Sequence, residues 1–267
     1  MAESLAFPGG AIDAPDALLD ELPAAAPALV DAALPSSFSI AKEMTEARDQ
    51  GDRLTCSAFA VIGALEFKFK TNLSESHLIS GTKKQHNECR SDEFDPGRYM
   101  VFCHKNGVTD EGHWPYVGAE HTPPCAEREP ALGSKRYKFD GLETVFRVQG
   151  RQLQGGGGQV GGPIVDLIKP FLAGKRRPVV VPLPRFKGSN SLWESGLESG
   201  DVPDPPSMAQ VSDGHCIVIC GYDDRSRRLQ FKNSWGTRWG TRAYRPGFGT
   251  ISYNYVDRFA TYGISGW

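Results

Sequence analysis

The sequence predicts an α+β protein of two lobes with a cleft between them, the first lobe mainly helical and the second mainly β. Three observations carry this reading. Good helix formers with apolar neighbours on nearly every face crowd the first half after residue 55, short β-rich runs bounded by turn residues crowd the second, and 267 residues with 39% hydrophobic content suffice to bury a substantial core. The organisation follows as an extension over 1–33, a helical lobe over 34–130 and a β lobe over 131–267.

The extension holds Glu3, Asp13, Asp16, Asp20, Glu21 and Asp31 and no basic side chain, so the rest of the chain, with 26 acidic against 30 basic residues, carries about +4. Within it, Pro15 to Leu22 places Leu18, Leu19 and Leu22 as a short amphipathic helix. A loosely ordered arm is the expectation, with a protein partner as its functional alternative. Cys56 to Lys70 reads as a buried central helix with Thr55 as its N-cap. Leu73 to Ser80 reads as a second helix capped by Ser74, and Asp95-Pro96 opens a third that runs to about Lys105. The glycines at 155–158, 161 and 162 predict a mobile loop, and Pro163 starts a helical segment ending near Gly174. Strands follow at Pro178 to Leu183, Cys216 to Tyr222, Leu229 to Asn233 and Thr250 to Tyr253, with Asp223 to Arg228 closing a hairpin.

A formal net charge of −2 gives no field that points to nucleic acid or an anionic membrane as partner. No apolar run approaches the roughly 18 residues that a membrane span requires. The N-terminus lacks the basic start and apolar stretch of a signal peptide, which reads as a cytoplasmic location. Six cysteines, Cys56, Cys89, Cys103, Cys125, Cys216 and Cys220, leave five once a nucleophile is set aside. That remainder favours free thiols in a reducing compartment, with a single bridge among Cys89, Cys103 and Cys125 as the alternative.

A thiol attacks as thiolate, and a helix N-terminus and a nearby imidazolium both favour that form. Cys56 opens the central helix, whose unpaired N–H groups also suit an oxyanion. His215 stands where Asp213-Gly214 leads into an apolar strand, and Asn233 ends the partner strand, so an amide oxygen can meet the ring N–H across the hairpin. A second collection, His77, His86, Cys89, Cys103, His104, His113, His121 and Cys125, includes the ligand-like pair His86-x-x-Cys89, but its other spacings are irregular and the reading assigns no metal and no cofactor.

The local sequences then become specific. Gln50-Gly51 followed by Cys56-Ser57-Ala58-Phe59 resembles the nucleophile segment of the papain family, with the Gln-to-Cys spacing kept. LSESHLIS resembles that family's Leu-Ser-Glu-Gln helix start, and Asn106-Gly107-Val108 through Trp114-Pro115-Tyr116 resembles its Gly-Ile to Tyr-Pro-Tyr segment. GHCIVICGYDD resembles the strand bearing the family's histidine, and KNSWGTRWG at 232–240 is similar to its Asn-Ser-Trp-Gly-x-x-Trp-Gly motif. The match runs in order from about Leu34-Pro35 to the last strands. It implies a papain-like fold with a β-barrel-like second lobe, and a cysteine endopeptidase that forms an acyl-thioester on peptide or protein substrates. It also implies roles: Cys56 as nucleophile, His215 as base, Asn233 as the residue that orients His215, Gln50 as oxyanion donor, and Leu54, Thr55, Gly214 and Trp235 around the substrate, Trp235 shielding the His215–Asn233 bond.

Departures from the pattern set further expectations. Arg53 replaces a cysteine that is disulfide-bonded in secreted members and resembles bacterial ones, Leu54 replaces a glycine beside the cleft, and Ser57 replaces a tryptophan. The paired glycines that hold the substrate backbone are not recognisable between Cys89 and Pro96. Leu54 is expected to narrow the cleft, if it faces it, toward substrates with small side chains. Acyl transfer to an amine and a catalytically weak peptide-binding protein stay open beside hydrolysis.

Overall fold

The computed structural model describes residues 9–25, 34–118, 134–153, 163–187, 192–206 and 209–267. The glycine-rich loop anticipated after residue 154, and His121 and Cys125 of the second His/Cys collection, lie outside the described residues.

Among the described residues, α-helices run over Asp16–Glu21 (α1), Cys56–Phe69 (α2), Glu75–His86 (α3), Pro96–Lys105 (α4), Ile164–Lys169 (α5) and Tyr253–Phe259 (α6). Strands among the same residues run over Ser37–Ser39 (β1), Leu142–Arg147 (β2), Val179–Phe186 (β3), Asp201–Val202 (β4), Val211–Asp223 (β5), Arg228–Lys232 (β6), Phe248–Ser252 (β7) and Tyr262–Gly266 (β8). The helix starts expected from local chemistry are in place: the Ser74 hydroxyl accepts from the His77 N–H at 3.0 Å, and the Asp95 carboxylate accepts from the Arg98 N–H at 2.8 Å with Pro96 behind it. α3 continues six residues past the expected Ser80 and stops where Asn87 adopts the left-handed conformation at φ 53°. Thr55 does stand at the N-cap position of α2, but its side chain makes no capping bond; its Oγ1 meets the Tyr116 hydroxyl at 2.9 Å instead.

The strands form one open sheet in the order β2-β8-β3-β5-β6-β7-β4, with β1 also on β5, so the expected barrel-like lobe is a sheet that does not close on itself. The pairing is antiparallel except between β4 and β7. Its thirteen-residue member β5 divides the core by alternation. Cys216, Val218 and Cys220 face α2 and the other first-lobe helices, whereas Ile217 and Ile219 face α5, α6 and the tryptophans. Val218 pairs with Lys232, so the register of β5 with β6 brings His215 and Asn233 to the same end of the hairpin.

The arm is not loose where it is described. α1 forms as the leucine spacing predicts and buries Leu19, and Leu18 lies against Gly97 at the start of α4. Arg147 on β2 pairs with Asp16 and Asp20, the Leu153 N–H donates to Asp13 at 2.9 Å, and Ala24 bridges Thr144 of β2. Its acidic side chains therefore meet basic and N–H groups of the other lobe, and the arm strap touches both sides of the cleft.

Candidate active site

Three stretches converge at the cleft: the loop 50–55 with the start of α2, the beginning of β5, and the turn after β6. The His215 Nε2 and Asn233 Oδ1 are 2.8 Å apart, and the Ser234 backbone N–H donates to the same Oδ1 at 2.9 Å. A backbone N–H can only donate, so that atom is the amide oxygen and His215 carries its proton on Nε2. Nδ1 then holds the lone pair. It is buried without a hydrogen-bond partner, which is the state of an imidazole waiting for a proton. Trp235 lies over the ring with centroids 4.6 Å apart, and Trp193 meets it edge-on at 5.0 Å. Both indoles are themselves buried against the ring.

Cys56 begins α2 with its thiol against β5, where the Cys216 N–H donates toward it. Gln50 is fixed from four directions. Its N–H donates to the Ser234 carbonyl at 2.8 Å, its carbonyl accepts from the Tyr116 hydroxyl at 2.8 Å, its Oε1 accepts from the Ser234 hydroxyl at 2.6 Å, and its Nε2 donates to the Arg53 carbonyl at 2.7 Å. An amide nitrogen carries two N–H bonds. The second is directed at the carbonyl of Gly9, 3.5 Å away.

Arg53, read in the sequence as the loss of a cross-link, makes a different one. Its guanidinium grips both oxygens of Asp92 at 2.8 and 2.9 Å, Lys83 of α3 pairs with the same carboxylate, and all three side chains are buried. The two cations hold the Asp92 carboxyl below its ordinary value against the opposing effect of burial. This triad ties loop 50–55 to the segment where the substrate glycines were not recognisable. Asp92, Lys83, Ser234, Tyr116 and Trp193 escaped the sequence reading; Ser234 and Tyr116 sit inside recognised motifs, while Asp92 has no local signature.

Residues 34–159 match the papain family cysteine protease profile. The fold is papain-like. Vignain from Vigna mungo is 26% identical over 210 residues, 75% of this chain and 50% of its own. The senescence-specific cysteine protease SAG12 from Arabidopsis thaliana is 26% identical over 223 residues, 79% and 56% of the two chains. This papain-like chain thus spans about half the length of the curated relatives it matches. Among solved structures, xylellain, a cysteine protease from Xylella fastidiosa, superposes with a TM-score of 0.74 over 97% of this chain and 95% of its own at 22% identity. Procathepsin B S9 from Trypanosoma congolense gives 0.70 over 97% and 86% at 15% identity.

The papain-like site is closed. Cys56 and His215 are both 0% exposed, and residues 9–11 run past the residues beside them: the Gly10 and Ala11 N–H groups donate to the Gly214 carbonyl at 2.9 and 3.1 Å, while Gly10 packs on Leu54. Burial pushes the Cys56 thiol up to about 12, and burial, with the nearby Arg185 guanidinium second, holds the His215 imidazole down to about 3. Both are neutral in this arrangement, so the thiolate that the helix position favours does not belong to the closed cleft.

Of the residues expected around the substrate, Gly214 offers its carbonyl and Leu54, 36% exposed, faces the cleft. Thr55 is fully buried against Tyr116 and does not reach the groove, and Trp235 is buried behind His215. The thiol count also needs correction: Cys89 is disulfide-bonded, while Cys56, Cys103, Cys216 and Cys220 are free. Among the described residues no group of three His, Cys, Asp or Glu side chains is arranged to hold a metal; His77, for one, accepts from the Thr109 N–H through Nδ1 at 3.0 Å.

Proposed function

We propose that the chain is a cysteine endopeptidase acting on peptide or protein substrates once residues 9–11 leave the cleft. The observation that carries this is the His215 tautomer: Asn233 and Ser234 leave Nδ1 with a buried, unused lone pair in the cleft where the thiol of Cys56 opens α2. In the open cleft His215 Nδ1 takes the Cys56 proton as the sulfur attacks the scissile carbonyl carbon. The oxyanion lies between the Cys56 N–H and the Gln50 Nε2 N–H that faces Gly9 in the closed cleft. His215 passes its proton to the departing amine, then deprotonates the water that opens the thioester and regenerates the thiol.

The test is labelling of the full chain with a thiol-reactive peptidyl electrophile, paired with turnover of an unlabelled peptide pool. Cys56→Ala is expected to abolish both labelling and turnover while leaving the unfolding transition nearly unmoved. Labelling that persists in this variant would remove the assignment. Adding an amine acceptor and weighing the products separates hydrolysis from transfer.

A further inference from the structure

The peptide held between Leu54 and Gly214 has a composition that the cleft itself explains. Gly9 lies between its carbonyl contact to Gln50 and the Asp213-Gly214 corner: a Cβ on Gly9 would stand 2.5 Å from Asp213 Oδ1 and closer still to the Gly214 carbonyl oxygen. Gly10, at φ +121°, occupies backbone space that L side chains rarely adopt, and a Cβ there would stand 2.6 Å from Leu54 Cβ and inside the Leu54 backbone. Two successive residues therefore pass between opposite walls, one formed by Leu54 and the other by Asp213 and Gly214. Neither leaves room for a side chain.

The same two residues engage the groups assigned to the reaction. The Gly9 carbonyl faces the Gln50 N–H that is assigned to the oxyanion, and the Gly10 N–H donates to the Gly214 carbonyl. The walls are also fixed. Leu54 sits one residue beyond Arg53, which Asp92 grips with two bonds, and Gly214 lies on β5 paired with Pro184 of β3. Asp213 is held at 3.4 Å by Arg185. A slit bounded by anchored backbone on both sides does not widen for a larger residue at small cost.

Resting on the endopeptidase reading above, we propose that the cleft selects substrates carrying a Gly-Gly pair at the reacting centre, with Leu54 and Asp213 as the specificity-determining residues and Gly9-Gly10 as the chain's own copy of that sequence. The preference is steric: the pair is accepted because it brings no Cβ to either wall, and an incoming Gly-Gly peptide competes with residues 9–10 for the same place.

The experiment uses the full chain and five fluorogenic peptides that differ only in their central pair: Gly-Gly, Ala-Gly, Gly-Ala, Leu-Gly and Gly-Leu. Gly-Gly is expected to exceed both leucine peptides in kcat/KM by roughly 100-fold, and Leu54→Gly, which removes the Cβ that meets Gly10, to narrow the gap to Gly-Leu by roughly 10-fold, within the range that hydrophobic bulk in a pocket gives. Leucine peptides cleaved as well as Gly-Gly by the unaltered chain would overturn the proposal. Binding of the same peptides to full-length Cys56→Ala, followed by fluorescence anisotropy, separates the two levels. Selective Gly-Gly binding without turnover by the unaltered chain keeps the slit and removes the endopeptidase. Turnover without selective binding keeps the endopeptidase and removes the slit, and peptides that neither bind nor turn over remove both.

Discussion

The two walls of the cleft are held by different forces. On the helical side, loop 50–55 is fastened by charge: Arg53, Asp92 and Lys83 form a buried triad, and the Arg53 carbonyl in turn holds Gln50. On the sheet side, His215 is fastened by shape: Trp193 and Trp235 enclose it, Asn233 takes its one N–H, and strand pairing sets its place. A buried ion triad is costly to break at one member, since the others are left charged in a medium that solvates them poorly. Aromatic packing instead gives the imidazole a dry surrounding that makes its protonation unfavourable. The Gln50 amide is thus placed by electrostatics, and the His215 imidazole is tuned by exclusion of water.

The largest effect expected from breaking this pattern is on the charged side. Asp92→Asn keeps the shape but leaves Arg53 and Lys83 facing one another, and should lower stability by about 3–5 kcal/mol in denaturant unfolding. A loss below about 1 kcal/mol would show that water reaches the triad. Next in size, Gln50→Ala should reduce kcat on the order of 100-fold with little change in KM, as expected when one oxyanion donor is lost. Equal kcat in the variant would place the oxyanion elsewhere.

On the sheet side, the folded chain holds His215 below its ordinary value of 6.5, down to about 3, so the unfolded chain takes up the proton first as pH falls. The contribution of neutral His215 is fully present above 6.5 and is lost progressively toward 3. Other groups titrate in the opposite sense, among them Glu75, raised to about 8, and Asp95, raised to about 6, both chiefly by burial. The comparison is therefore the difference in stability between the unaltered chain and His215→Gln. That difference should shift against the unaltered chain by up to about 2 kcal/mol between pH 6.5 and 5, and a pH-independent difference would mean that the imidazole is wet. Smallest, Asn233→Ala should lower kcat by roughly 10-fold through the ring's orientation, with a changed acidic limb in its pH–rate profile. An unshifted limb would reduce Asn233 to packing.

Much of this was legible locally. Helix starts at Ser74 and Asp95-Pro96 are written in side chains that cap within three residues, and the strands around His215 and Asn233 in apolar runs with a turn between them. β2 and β8 were not called, and neither was α6, whose start was taken into the expected strand at Thr250 to Tyr253; sheet membership depends on partners distant in sequence, such as Leu142 with Gly266. The same holds at the site. Cys56, His215, Asn233 and Gln50 stand in recognisable surroundings, whereas Asp92 and Trp193 act only through residues that the fold brings to them.

By itself, then, the sequence determined the α+β class, the central helix opening at Cys56 and the His215–Asn233 hairpin, because each rests on periodicity, capping or spacing within a few residues. Only the tertiary structure decided that the sheet stays open, that Arg53 finds Asp92 in place of a disulfide, and that Gly9 and Gly10 lie between Leu54 and Gly214. Those outcomes depend on which surfaces meet when two lobes and an acidic arm pack together. Burial then sets the charge state: the side chains that a local reading makes an ion pair are, under the arm, a neutral thiol and a neutral imidazole.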